Sequence, residues 1–74
     1  MNAAYSRALG NHIRTIRQRK GWTQEQLAAK LQLIDCDMTR SALAKIEVGQ
    51  RHLYPDELKA LRIVFDIDYE QIFV

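Results

Sequence analysis

The chain predicts an all-α fold, a compact bundle of five short helices. Three observations predict it: apolar residues recur at helical spacing, helix-start signals precede four of the segments, and sustained period-two alternation is absent. A chain of 74 residues buries only about 60% of the surface it exposes when unfolded, so one domain over 1–74 with a small core is expected.

The first helix is expected from about Ser6 to Lys20, with Leu9, Ile13 and Ile16 on one face and Gly21 as its stop. Gly10 falls inside it at about 1 kcal/mol relative to alanine, so a frayed or later first turn is expected. Thr23 opens the second helix as N-cap, with Gln26 as capping-box partner and Trp22 placed to staple onto Leu27. Leu27, Ala28 and Leu31 form its apolar side. The third helix has Met38 before the cap Thr39 and Leu43 after it, and runs about ten residues to Gly49. Pro55 opens the fourth, with Asp56 and Glu57 at the positive end of the helix dipole and Leu58, Leu61, Val64 and Phe65 as core stripe. Asp68 caps a last short helix, with Gln71 as its partner and Ile67 stapled to Ile72.

The formal charge is only +2, but residues 1–51 hold nine Lys/Arg against four acids while 52–74 hold two against five. One end is suited to a polyanion and the other to solvent or protein. No stretch approaches the roughly 18 apolar residues of a membrane span, and no signal-peptide pattern opens the chain, which predicts a cytoplasmic protein with no membrane partner. Cys36 has no second cysteine for a disulfide or a metal site, and no metal or cofactor is implied. Acids beside it raise a thiol pKa and lower its reactivity.

Residues 23 to 48 form two short helices joined by a turn, the second opening on small polar and basic residues. That arrangement suits a major groove roughly 12 Å wide, where the first residues of the second helix meet base edges. Here those residues are Thr39, Arg40, Ser41 and, one turn on, Lys45.

The run Gly21-Trp22-Thr23-Gln24-Glu25-Gln26-Leu27-Ala28, followed by Thr39-Arg40-Ser41-Ala42-Leu43-Ala44-Lys45-Ile46-Glu47-Val48-Gly49-Gln50-Arg51, resembles the lambda repressor-like (Cro and xenobiotic-response-element) helix-turn-helix family. The likeness runs from about Leu9 to Phe73 and takes in the basic first helix and the terminal Asp68-Tyr69-Glu70-Gln71-Ile72. It implies sequence-specific binding of double-stranded DNA by a transcriptional regulator, a repressor in preference to an activator, and the apolar C-terminal end adds the expectation of a homodimer on a near-palindromic operator. The chain departs from the family at Gln32-Leu33-Ile34-Asp35-Cys36-Asp37, which stands where a tight turn of about four residues with one glycine is usual. Asp35 and Asp37 are repelled by phosphate, so this loop is expected to point away from a duplex.

Arg40 is the first candidate for base readout, since a guanidinium can donate two bonds to guanine O6 and N7. Ser41 and Lys45 match family positions that face bases, and Ala42 and Ala44 offer methyl groups. Gln24 resembles the family glutamine that bonds a phosphate at a helix N-terminus. Thr39 combines capping with a phosphate contact, and Gln50 and Arg51 resemble backbone clamps. Arg14, Arg19 and Lys20 are generic cations. By the same resemblance Arg17 and Glu47 form an ion pair between the first helix and the recognition helix. Trp22, Tyr5 and Phe65 are assigned to the core rather than to stacking platforms. Tyr54, Ile63, Phe73 and Val74 fit a small core poorly and make a candidate self-association patch.

An enzyme needs a nucleophile, base or metal cluster, and none assembles: His12 and His52 lie 40 positions apart and are expected at the surface. Asp66-x-Asp68-x-Glu70 lacks the glycine and the final ligand of a calcium loop. The alternative that stays open is a domain of the same fold whose main partner is a protein, as in an antitoxin or adaptor.

Overall fold

The computed structural model describes residues 3–73. Among these residues five helices follow in order: α1 (Ala3–Arg19), α2 (Gln24–Gln32), α3 (Arg40–Glu47), α4 (Pro55–Phe65) and α5 (Tyr69–Ile72). No strand occurs among the described residues. The Cα radius of gyration, 11.0 Å, is that of a close-packed chain of this length.

The helix starts follow local chemistry. Thr23 Oγ1 accepts from Gln26 N–H at 3.1 Å while Gln26 Oε1 accepts from Thr23 N–H at 2.8 Å, which satisfies two donors that a helix N-terminus otherwise leaves open. Thr39 Oγ1 takes the Ala42 N–H at 3.1 Å. At α4 and α5 the third residue reaches back: Glu57 accepts from Tyr54 N–H at 3.0 Å, and Gln71 from Asp68 N–H at 2.9 Å.

Four helices stop in one way, with a left-handed residue followed by a six-to-one backbone bond. Glycine takes that place at Gly21 and Gly49, with φ of 77° and 78°, and aspartate takes it at Asp35 and Asp66, with φ of 63° and 56°. The closing bonds are Trp22 N–H to Arg17 O, Cys36 N–H to Leu31 O, Gln50 N–H to Lys45 O and Ile67 N–H to Arg62 O, between 2.8 and 3.3 Å.

Each helix turns its apolar side to one core. Phe65, Ile13, Leu27, Leu31, Met38, Leu43, Leu61 and Ile72 are wholly buried in it, and Trp22 lies stacked on Phe65 with ring centroids 6.1 Å apart. α1 packs on α3 and touches α5, and α2 packs on α3 and α4.

Several boundaries differ from expectation. α1 begins at Ala3, and Gly10 is buried within it rather than fraying it. α3 holds eight residues because Gly49 must follow the C-cap Val48. Gln32 belongs to the last turn of α2, and the connection begins at Leu33, because Asp35 supplies the helix stop. Tyr5, expected in the core, is 37% exposed in the first turn of α1. His12, expected at the surface, is half-buried, and its Nε2 donates to the Gln71 carbonyl at 2.6 Å, tying α1 to α5. Asp66 and Asp68 serve as helix stop and helix cap. Val74 lies outside the described residues.

Candidate nucleic-acid interface

One side of α3 is buried through Leu43, Ile46 and Glu47, and Ala42 is also packed against the core. The helix period therefore turns Arg40, Ser41, Lys45 and Val48 outward, with Ala44 half-exposed among them. Of the two alanines expected to offer methyl groups, Ala44 alone lies on this face. Val48, 54% exposed, adds an apolar side chain at the far end of this face that the sequence did not single out because it stands beside the helix stop. A search for exposed apolar residues at i+4 from Ala44 would have found it.

Behind this face lies a buried polar knot. Arg17 Nε donates to Glu47 Oε2 at 2.7 Å and Nη2 to Glu47 Oε1 at 3.0 Å, a bidentate pair joining α1 to the last turn of α3. Arg17 Nη1 also donates to the Trp22 carbonyl at 2.7 Å. The hydrogen bonds to Glu47 raise the Arg17 pKa further above its already high range, so the guanidinium stays charged despite burial. Glu47 Oε1 accepts a third bond, from Gln24 Nε2 at 3.0 Å. Gln24 is thereby held across from α3 at the N-terminus of α2, with its carbonyl and one amide hydrogen still available. The sequence reading paired Arg17 with Glu47 but missed Gln24, whose partner is 23 positions away.

The outward residues are held loosely or not at all. Arg40 Nε lies 3.8 Å from Glu25 Oε1, with both side chains mostly in solvent. Ser41, Lys45 and Gln50 make no side-chain hydrogen bond or ion pair among the described residues. Thr39 is exposed, and its hydroxyl, accepting from Ala42, keeps a hydrogen to donate.

Arg51 has other work. It is half-buried, and two of its nitrogens bond the Glu57 carboxylate, both at 2.9 Å, while Nη1 also donates to the His52 carbonyl at 3.0 Å. Its guanidinium lies 5.5 Å from the Tyr54 ring. Arg51 so braces the loop between α3 and α4, leaving its Nε–H and one Nη2 hydrogen. Its hydrogen bonds hold the Glu57 carboxyl below the usual carboxylate range, against a desolvation that acts the other way. The six-residue spacing across a non-helical turn gave no signal of this pair.

The lengthened α2–α3 loop borders the start of α4: a cleft of about 430 Å³ is lined by Ile34, Asp35, Cys36, Asp37, Asp56, Glu57 and Ala60. Burial first, and then Glu57, Asp56 and Asp37, push the Cys36 thiol up. No cluster of three or more His, Cys, Asp or Glu suited to a metal ion occurs among the described residues. No described helix is long and apolar enough to cross a membrane.

Two short helices on a shared core, the second presenting cations and a hydroxyl from an otherwise buried scaffold, define a DNA-binding regulator of the helix-turn-helix class, a binding module rather than an enzyme. The helix-turn-helix family profile matches residues 13–72, and the chain belongs to that family. A crystal structure of the restriction-modification controller protein C.AhdI from Aeromonas hydrophila is similar, with a TM-score of 0.85 and 28% identity over 96% of each chain. No curated protein sequence matches.

Proposed function

We propose that this chain is a sequence-specific transcriptional regulator, a cytoplasmic repressor that binds a near-palindromic operator as a homodimer. The observation that carries the proposal is the division of α3: its inner side is locked to α1 and α2, and its outer side presents Arg40, Ser41 and Lys45 without strong ties. Arg40 exchanges its weak contact with Glu25 for the O6 and N7 of a guanine, a contact worth about 1–3 kcal/mol of discrimination. Ser41 and Lys45 meet neighbouring base edges. Gln24, Thr39 and Gln50 bond phosphates on either side, and Arg51 adds its remaining donors to the same backbone while bracing the loop. Likeness along 96% of both chains to a restriction-modification controller supports a narrower reading, in which the regulated genes belong to such a system.

Dimerisation is supported by an exposed apolar patch on α4 and α5, outside the α2–α3 unit. Ile63, Tyr69 and Phe73 are each more than 40% exposed, and the Tyr69 and Phe73 rings stack at 6.4 Å. Arg62 lies over the Tyr69 ring at 5.0 Å with its Nε buried and without a hydrogen-bond partner among the described residues. A second copy placed there covers the rings and sets two recognition helices for half-sites about 34–36 Å apart.

Selection from random duplexes at two salt concentrations tests the proposal. An enriched two-fold motif is expected. Weak binding that is wholly salt-dependent and enriches no motif would overturn it in favour of a protein partner, a toxin or another regulator.

A further inference from the structure

Glycine weakens a helix interior, yet Gly10 sits within α1 at a buried position. Its surroundings explain it. A methyl group at Gly10 would overlap the carbonyl oxygen of Ile46, and would lie 3.0 Å from that carbonyl's carbon and 3.2 Å from the carbonyl carbon of Glu47. All three atoms are backbone, so no side-chain rotation relieves the overlap. Gly49 marks the same crossing from the other side: a methyl there would come within 2.9 Å of the Arg7 Cα and 3.0 Å of its nitrogen. α1 thus meets the last turn of α3 at two levels, backbone against backbone at Gly10 and, two turns on, through the clamp of Arg17 on Glu47.

We propose that Gly10 is a positioning residue for base readout: by admitting the backbone of Ile46, it sets the tilt of α3 and therefore the depth at which Lys45 meets the duplex. The inference rests on α3 being the reading helix. The N-terminal end of α3 is held by Met38 and Leu43, both wholly buried, and its C-terminal end rests on Gly10. A methyl group there moves that end by on the order of 1 Å, about twice the roughly 0.5 Å tolerance of a binding constellation. Lys45, next to Ile46, moves with it. Arg40, about 9 Å back along the axis at roughly 1.5 Å per residue, stays near the pivot. Phosphate contacts from Thr39, at the pivot end, and from the exposed side chain of Gln50 tolerate the change, so the loss falls on specificity more than on total affinity.

The test compares the full chain, Gly10→Ala and Asn11→Ala, a control that alters an exposed neighbour on the same helix. Affinity for the selected operator and for a scrambled duplex is measured with base preference at each position, and melting and helicity are followed in parallel. The expected result is a loss of about tenfold in the operator-to-scrambled ratio for Gly10→Ala. The relaxed preference is confined to the base pairs facing Lys45, scrambled-duplex affinity changes within about twofold, and Asn11→Ala matches the natural chain. A loss of stability alone lowers both affinities together and leaves the ratio intact. A Gly10→Ala chain that keeps the full ratio and the full preference overturns the proposal. Should this variant be unfolded by itself, the same ratio is read from duplex-induced helicity: equal induction by both duplexes supports the proposal, and the natural preference for the operator overturns it. If the natural chain prefers no sequence, the DNA-reading role itself fails, and Gly10 loses its role with it.

Discussion

Two arginine–glutamate pairs, at the two ends of α3, do opposite things. Arg17 and Glu47 meet at 2.7 Å with side chains only 10% and 2% exposed, whereas Arg40 and Glu25 approach to 3.8 Å with 64% and 78% exposed. In the first pair both charges have left water, and each depends on the other for the solvation it lost. In the second, water and salt solvate both partners, so little holds them together. Buried, the pairing is architecture that fixes the recognition helix. Exposed, it leaves a guanidinium ready for another partner. Arg51 and Glu57, 30% and 13% exposed at 2.9 Å, lie between the two.

Substitution of the buried pair gives the largest effect. Glu47→Ala leaves Arg17 charged without its carboxylate and releases Gln24, and a loss of about 3–5 kcal/mol is expected by denaturant unfolding. A loss below about 1 kcal/mol, the scale of an exposed pair, would erase the distinction drawn above. Replacing Arg17 and Glu47 together by methionine and leucine should restore much of the stability. Duplex affinity should still fall, because Gln24 is no longer held.

The intermediate pair should show itself through pH. The folded-state pKa of Glu57 is depressed, first by the hydrogen bonds from Arg51, so its contribution is fully present above the unfolded value of about 4.3 and is lost as pH falls through the lower folded value. Glu57→Gln is expected to be less stable by about 1–2 kcal/mol at neutral pH, with the gap closing below about pH 4.3. A gap that stayed constant through the acid range would show that the Arg51 contact does not depend on charge.

The left-handed helix stops extend the contrast to the backbone. At Gly21 nothing crowds a new methyl, but φ is +77°, so Gly21→Ala should lose about 1 kcal/mol through conformation alone. Asp66 carries a side chain in the same region at φ 56°, so Asp66→Gly should gain up to about 1 kcal/mol. Equal melting temperatures for Asp66→Gly and the natural chain would mean that aspartate already meets the demand of the turn.

The same physical division explains what could be read in advance. α1 was legible from apolar spacing alone, and its start fell at Ala3 rather than Ser6. The last four helices were legible because their start signals are local: Thr23 with Gln26, Thr39 before Ala42 and Asp68 with Gln71 act across three residues, and Pro55 ahead of Glu57 across two. The glycine stops were legible for the same reason. Asp35 and Asp66 were not, since aspartate also fits turns and caps, and its left-handed use depends on how the following residue packs. Gly10 read as a defect because the backbone it accommodates belongs to Ile46, on another helix. Tyr5 read as core because periodicity gives the direction of a side chain and not how deeply it is buried, and it stays 37% exposed. At the candidate site the outward row of α3 followed from helix period. The ties of Gln24 to Glu47 and Arg51 to Glu57 required the fold.

The smallest expected change in stability accompanies the most direct test. For Arg40→Ala, unfolding free energy and operator base preference are to be measured on one preparation. The account predicts stability within about 0.5 kcal/mol of the natural chain, because the Glu25 contact is solvated. It also predicts a loss of about 1–3 kcal/mol of discrimination at a single base position with the others retained. An Arg40→Ala chain that reads every base as the natural chain does would contradict the assignment of α3's outer face to sequence readout.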